Sequence, residues 1–191
     1  MNAGKTTALL QTAYNYEEQG NTVELFTSEI DDRYGVGKIT SRLGLQRDCQ
    51  VFDKKMDFEE ALLGTTAACI LIDEAEFLTP EQVSQLHRVA QLQDVPIICY
   101  GLRTDFQGNP FKGSAYLMCL ADTVEELKTT CTCGKRATMN IRLDDEGNRV
   151  HQGKQTLIGG NNRYRQICAR CFYLGLVSEA ETVAEPQQLE G

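Results

Sequence analysis

The sequence predicts an α/β fold with a mainly parallel sheet, followed by a small cysteine-stapled subdomain. Three observations carry that expectation. A helical apolar period follows Gly4-Lys5-Thr6, two short continuously apolar runs (67–72 and 97–102) flank a strongly capped helix, and polar strands with paired cysteines begin beyond Leu127.

Taken in order, Ala8, Leu9, Ala13 and Tyr16 recur at helical spacing, and Gly20 is placed to end that helix in a left-handed cap. Thr22 to Thr27 alternates and is rich in β-formers, which predicts a strand. The charged, glycine-containing stretch from Ser28 to Gly37 reads as a loop at that strand's carboxyl end, where open α/β sheets bind ligands. Ala67 to Ile72 suits a strand buried on both faces, ending at Asp73-Glu74. Thr79-Pro80-Glu81-Gln82 supplies an N-cap, a proline at the first helical position and a capping-box partner for a helix carrying Val83, Leu86, Val89, Ala90 and Leu92. Ile97 to Leu102 is a further strand, and Arg103 to Gly108 the loop after it. Phe106 and Phe111 either stack on a base or cap the core. The tail from Ser178 is acidic and lacks an apolar period, which predicts disorder.

Composition narrows the chemistry. Lys+Arg of 19 against Asp+Glu of 27 gives a net charge of -8, which repels a phosphate backbone and argues against nucleic acid. No apolar run approaches the roughly 20 residues that span a bilayer, so no membrane role is expected. Without a leader the chain is expected in a reducing cytoplasm, where clustered cysteines bind metal rather than each other.

Met1-Asn2-Ala3-Gly4-Lys5-Thr6 reads as the second half of a phosphate-binding loop. Gly4 permits close backbone approach, Lys5 supplies charge to phosphate oxygens, and the Thr6 hydroxyl ligates Mg²⁺. An ordinary helix N-terminus reads the same way. Asp73-Glu74 at a buried strand tip is a Walker B pattern, in which the aspartate holds Mg²⁺ and the glutamate takes a proton; solvated acids at a strand end are the plainer alternative. Cys131-Thr-Cys133 and Cys168-Ala-Arg-Cys171 resemble a four-thiolate zinc site closing a subdomain with little core of its own. Cys49, Cys69, Cys99 and Cys119 stand singly and read as small buried side chains.

The ordered blocks M-N-A-G-K-T, I-D-D-R-Y, L-I-D-E-A-E-F-L, C-Y-G-L-R-T-D-F, C-x-C, I-G-G-N-N-R-Y and C-x-x-C resemble the thymidine kinase family of the bacterial and animal cytosolic type, from about Met1 to Tyr173. The resemblance implies a recombinase-like P-loop domain over 1–127, a zinc-ribbon and lasso subdomain over 128–175, and a tail over 176–191. It implies transfer of the ATP γ-phosphoryl group to the 5′-hydroxyl of thymidine, with Mg²⁺ and structural Zn²⁺, dTTP as feedback inhibitor and a homotetrameric assembly. By position, Met1 to Thr6, Arg33, Asp73, Glu74, Ala75 and Glu76 would serve ATP, with Glu74 as the catalytic base. Phe106, Leu157, Ile158, Gly159, Gly160 and Tyr164 would serve thymidine, and Cys131, Cys133, Cys168 and Cys171 would hold zinc. Where family members often carry glutamine this chain has Glu76, which is expected to add negative charge beside the site. The resemblance also places the loop's first glycine and first strand upstream of Met1, so the complete protein is expected to be active and the 191-residue chain alone inactive. A nonenzymatic zinc-ribbon interaction module is the competing reading.

Overall fold

The computed structural model describes residues 3–30, 35–156 and 163–177, in two compact units. One unit contains Gly4–Arg103 and Pro110–Leu127; the other gathers Thr104–Asn109 with the segment from Lys128 onward.

The first unit is built on a four-stranded parallel sheet. Helix α1 (Lys5–Glu18) precedes β1 (Val23–Ser28), and an antiparallel hairpin of β2 (Lys38–Thr40) and β3 (Gln46–Asp48) precedes β4 (Gln50–Phe52). Helix α2 (Phe58–Ala61), β5 (Cys69–Ile72), a 3-10 turn (Ala75–Phe77), α3 (Pro80–Leu92), β6 (Ile97–Cys99) and α4 (Lys112–Leu120) follow. The strand order is β4-β1-β5-β6, and β5 is fully buried. Its apolar residues divide by the two-residue period. Ile70 and Ile72 pack with Phe26, Phe58, Val83 and Leu86, while Cys69 and Leu71 pack with Leu9, Leu10 and Ala13 of α1. Helices therefore cover both faces, which is why β5 reads as one unbroken apolar run.

The expected capping box forms: Thr79 Oγ1 accepts from the Gln82 N–H at 3.1 Å, and Gln82 Oε1 accepts from the Thr79 N–H at 3.0 Å. Gln82 Nε2 also donates to the Asp53 and Met56 carbonyls, fixing the turn before α2. The two apolar runs are shorter as strands than expected, starting at Cys69 and ending at Cys99. Helix α4 and everything from β2 to α2 were not anticipated. Gly113 lets α4 lie against the turn after β5, because a Cβ there would sit 2.5 Å from the Leu78 carbonyl oxygen.

In the second unit, β7 (Met139–Leu143), β8 (Arg149–Val150) and β9 (Tyr164–Ile167) form an antiparallel sheet in the order β8-β7-β9, followed by α5 (Ala169–Tyr173). Its core is small: Ala137, Ile141, Leu143, Ile167 and Phe172 beside buried cysteines. The expected turn after Leu143 closes the β7–β8 hairpin through the Asp144 N–H to the Asn148 carbonyl. The strand and glycine loop expected from Thr156 fall largely outside the described residues, as does the tail from Ser178. Among the described residues no helix is long and apolar enough to cross a membrane.

Candidate active site and metal centre

The phosphate-loop reading rests on the start of α1. Gly4 caps that helix at φ 73°, a conformation that disfavours a side chain, and its carbonyl accepts the Ala8 N–H at 2.8 Å. The next N–H groups then begin the helix with no side-chain cap, the arrangement that favours an anion. Ala3 is half-buried just before; Met1, Asn2 and Arg33 lie outside the described residues, as do Leu157, Ile158, Gly159 and Gly160.

The end of β5 supplies the acids. Asp73 is 3% exposed, held by its own N–H to the Phe26 carbonyl, and Thr6 Oγ1 donates to Asp73 Oδ2 at 2.9 Å. This bond joins two groups 67 positions apart, the hydroxyl of the first helical turn and the carboxylate of the strand tip. Adjacent oxygens around an octahedral Mg²⁺ lie about 3.0 Å apart, given bonds of about 2.1 Å, so the all-oxygen Thr6–Asp73 pair fits that ion. Glu74 adopts φ 51° and ψ 39°, left-handed for a residue with a side chain, and its N–H donates to Asp73 Oδ1 at 3.0 Å. Such strain concentrates at functional sites. Sequence pattern carried no sign of it.

Ala75 and Glu76 are buried, with the Ala75 N–H donating to the Tyr100 carbonyl at 2.9 Å. Among the described residues Glu76 Oε2 has no hydrogen-bond partner, and a Cβ on Gly101 would sit 3.0 Å from it. Burial pushes the Asp73 carboxyl up to about 6; the Glu74 charge adds to this, and Lys5, the Thr6 hydroxyl and the Glu74 N–H oppose it. Burial, then the Glu74 charge, holds Glu76 well above the usual carboxylate range, against Lys5. Burial thus works against the extra negative charge expected at Glu76, because a desolvated site favours the neutral acid.

A raised folded-state pKa subtracts stability. Between the unfolded value near 4 and the folded value, the unfolded chain ionises while the folded chain keeps its proton, so stability falls as pH rises. Glu76→Gln is accordingly expected to be more stable than the parent at pH 8 and to converge with it near pH 4. Urea unfolding at those two pH values measures it; a constant difference between them would count against the buried neutral acid.

The four expected metal ligands come together. Cys131, Cys133, Cys168 and Cys171 present sulfur atoms all within 4.8 Å of one another, and Cys133 Sγ lies 3.6 Å from Cys168 Sγ. A tetrahedral ion with bonds of about 2.3 Å sets sulfurs about 3.8 Å apart, so the set fits zinc. The first pair is folded by a turn in which the Gly134 N–H donates to the Cys131 carbonyl at 2.9 Å, with Gly134 at φ 80°. The second pair caps α5, Cys168 Sγ accepting the Cys171 N–H at 3.4 Å. Burial pushes the Cys131 thiol up, but the Cys133 and Cys168 N–H groups and neighbouring thiols outweigh it and bring it down to about 6, favouring a thiolate. Of the single cysteines only Cys69 is buried; Cys49 and Cys99 are half-buried and Cys119 is exposed, correcting the expectation for those three.

Phe111 is a core residue, edge-on to Phe77 at 5.8 Å. Phe106 is also buried, with the Arg142 guanidinium 3.7 Å from its ring centroid, and Tyr164 is half-buried opposite Arg142 in the β7–β9 register. Sequence reasoning passed over Arg142 and Asp105. Asp105 ahead of Gln107-Gly108-Asn109 is an Asx-turn signature; the buried arginine left no signal.

The family model described as "Thymidine kinase" matches residues 1–172. A thymidine kinase of Chromobacterium violaceum is 59% identical over 173 residues, covering 91% of this chain and 94% of the relative. One of Albidiferax ferrireducens is 55% identical over 181 residues (95% and 92%), and one of Salmonella typhimurium 47% over 176 residues (90% and 86%). With a phosphate-loop helix joined to a strand-tip aspartate and a four-sulfur cluster in a small antiparallel unit, the matches converge: the chain belongs to the thymidine kinase family.

Proposed function

We propose that this protein transfers the γ-phosphoryl group of ATP to the 5′-hydroxyl of thymidine, with Glu74 as the base that takes the hydroxyl proton. The observation that carries this assignment is the Thr6–Asp73 hydrogen bond, which brings the helix behind the phosphate loop to the strand tip bearing Glu74. Lys5 and the α1 N-terminus would hold phosphate oxygens, Thr6 and Asp73 would hold Mg²⁺, and Arg33 would meet phosphoryl charge. Mg²⁺ held there would supply neutralisation of phosphate charge. The residues themselves position groups, exclude water and accept one proton, which suits a loose phosphoryl transition state. Phe106, Tyr164 and the backbone of 157–160 would hold the base. Zinc would staple the unit carrying them through the four cysteines. Feedback by dTTP and a homotetramer belong to the same reading, as does a cytoplasmic location, which suits cysteines that are thiols rather than disulfides.

Incubation of the complete protein with ATP, Mg²⁺ and thymidine is expected to give dTMP, read by chromatography, and dTTP is expected to raise the melting temperature by binding the native state selectively. Absence of dTMP together with no thermal response to dTTP would reject the assignment. A nonenzymatic module predicts that outcome.

A further inference from the structure

We infer that Arg142 and Asp105 are positioning residues for thymidine: through the Phe106 ring they set how the protein grips the pyrimidine base. This rests on the reading that Phe106 meets the base.

Arg142 is 6% exposed on β7, although arginine is rarely buried without a partner. Among the described residues its charge meets no carboxylate. Instead the guanidinium carbon lies over the Phe106 ring, 3.7 Å from its centroid, and Nη1 donates to the Lys154 carbonyl at 2.9 Å. Gly153 makes room for this, since a Cβ there would lie 2.5 Å from Arg142 Nη2. A cation stacked on one face fixes the ring's plane, and in a desolvated place the attraction is strong.

Asp105 fixes the loop that bears the ring. It is 4% exposed; Oδ1 accepts the N–H groups of Gln107 and Asn109, each at 2.9 Å, and Oδ2 accepts from Gln155 Nε2 at 3.2 Å. Gln107 Nε2 reaches the His151 carbonyl at 3.3 Å. The loop of Phe106 is thus tied to residues 151–155 by Asp105, Gln107 and Arg142. One buried charged side chain over the ring and a second holding the loop that bears it make a rigid support. Filling the space alone would need only apolar side chains.

The test compares thymidine and deoxyuridine kinetics for Phe106→Leu, Arg142→Met, Arg142→Lys and Asp105→Asn. Arg142→Met is expected to raise the KM for thymidine about tenfold with the KM for ATP unchanged, and to alter the preference for thymidine over deoxyuridine. Arg142→Lys should fall between, keeping the charge but losing the broad guanidinium over the ring. Asp105→Asn should shift the thymidine KM in the same direction. If Phe106→Leu leaves thymidine kinetics untouched, the underlying reading of Phe106 fails. If Phe106→Leu raises the thymidine KM while the Arg142 variants keep parental KM and base preference, the inference is overturned and the reading of Phe106 survives. Should Arg142→Met melt early, Arg142→Lys decides alone: a parental KM overturns the inference.

Discussion

Glu74→Gln is expected to lower kcat for thymidine phosphorylation by about 10²- to 10⁴-fold, the usual contribution of a positioned general base. ATP binding should suffer far less, because Lys5 and Thr6, proposed to meet phosphate and Mg²⁺, sit on α1 and Asp73 is anchored by the Phe26 carbonyl and the Thr6 hydroxyl. Glu74 also bears a structural cost that separates function from stability. At φ 51° its backbone sits where a side chain costs on the order of 1 kcal/mol, while glycine is at ease. Glu74→Gly is therefore expected to be as inactive as Glu74→Gln and yet to melt no lower than the parent. Removing the Glu74 charge also relieves part of the upward pressure on both Asp73 and Glu76. The measurements are steady-state kinetics and thermal unfolding on the two variants. A Glu74→Gln enzyme retaining more than about a tenth of the parental kcat would remove Glu74 from the role of base.

The elements legible in the sequence were those whose signal is local. β5 reads as one apolar run because both its faces are covered, and α3 announces itself through Thr79, Pro80 and Gln82. The segment between β1 and β5 was silent for physical reasons. β3 is Gln46-Arg47-Asp48, wholly exposed, so it pairs in a hairpin without any apolar alternation, and α2 is a four-residue helix whose one clear mark is the Asp57 cap. Helix α4 follows Phe111, which offers no side-chain oxygen as a cap, and includes Gly113 because backbone lies against it. At the site, Lys5, Thr6, Asp73 and Glu74 stood out because phosphate and metal chemistry demands those types at a loop and a strand tip. The strain at Glu74, the burial of Glu76 and the stacking of Arg142 on Phe106 depend on contacts distant in sequence. A charge reads as exposed until the fold reveals what covers it: Glu76 reads as added negative charge in the sequence, and its burial disfavours that charge.

Removal of the metal is expected to abolish activity by unfolding the unit built on β7, β8 and β9, rather than by touching the phosphoryl chemistry. The main apolar cluster of that unit is only Ala137, Ile141, Leu143, Ile167 and Phe172 beside the cysteines, with Met139, Leu176 and Val177 partly buried against it, and β8 is two residues long. So little buried surface rarely offsets the conformational entropy of ordering the chain, and small domains of this kind lean on a metal or disulfide. Thiolate coordination of structural zinc provides on the order of 10 kcal/mol, far more than those side chains alone. With Cys168 shaped by the start of α5 and all four sulfurs within 4.8 Å of one another, the set lies ready to close around one ion. Loss of one ligand, as in Cys133→Ser, should therefore lower the melting temperature by more than any single core truncation in the same unit. Chelation followed by metal analysis should leave a protein that no longer phosphorylates thymidine and whose unfolding begins with an added, lower-temperature transition. The four-stranded unit has its own core on both faces of β5, so its circular dichroism is expected to persist through that first transition. Full activity and an unchanged melting curve in protein verified as metal-free would show that the cysteines hold no structural ion.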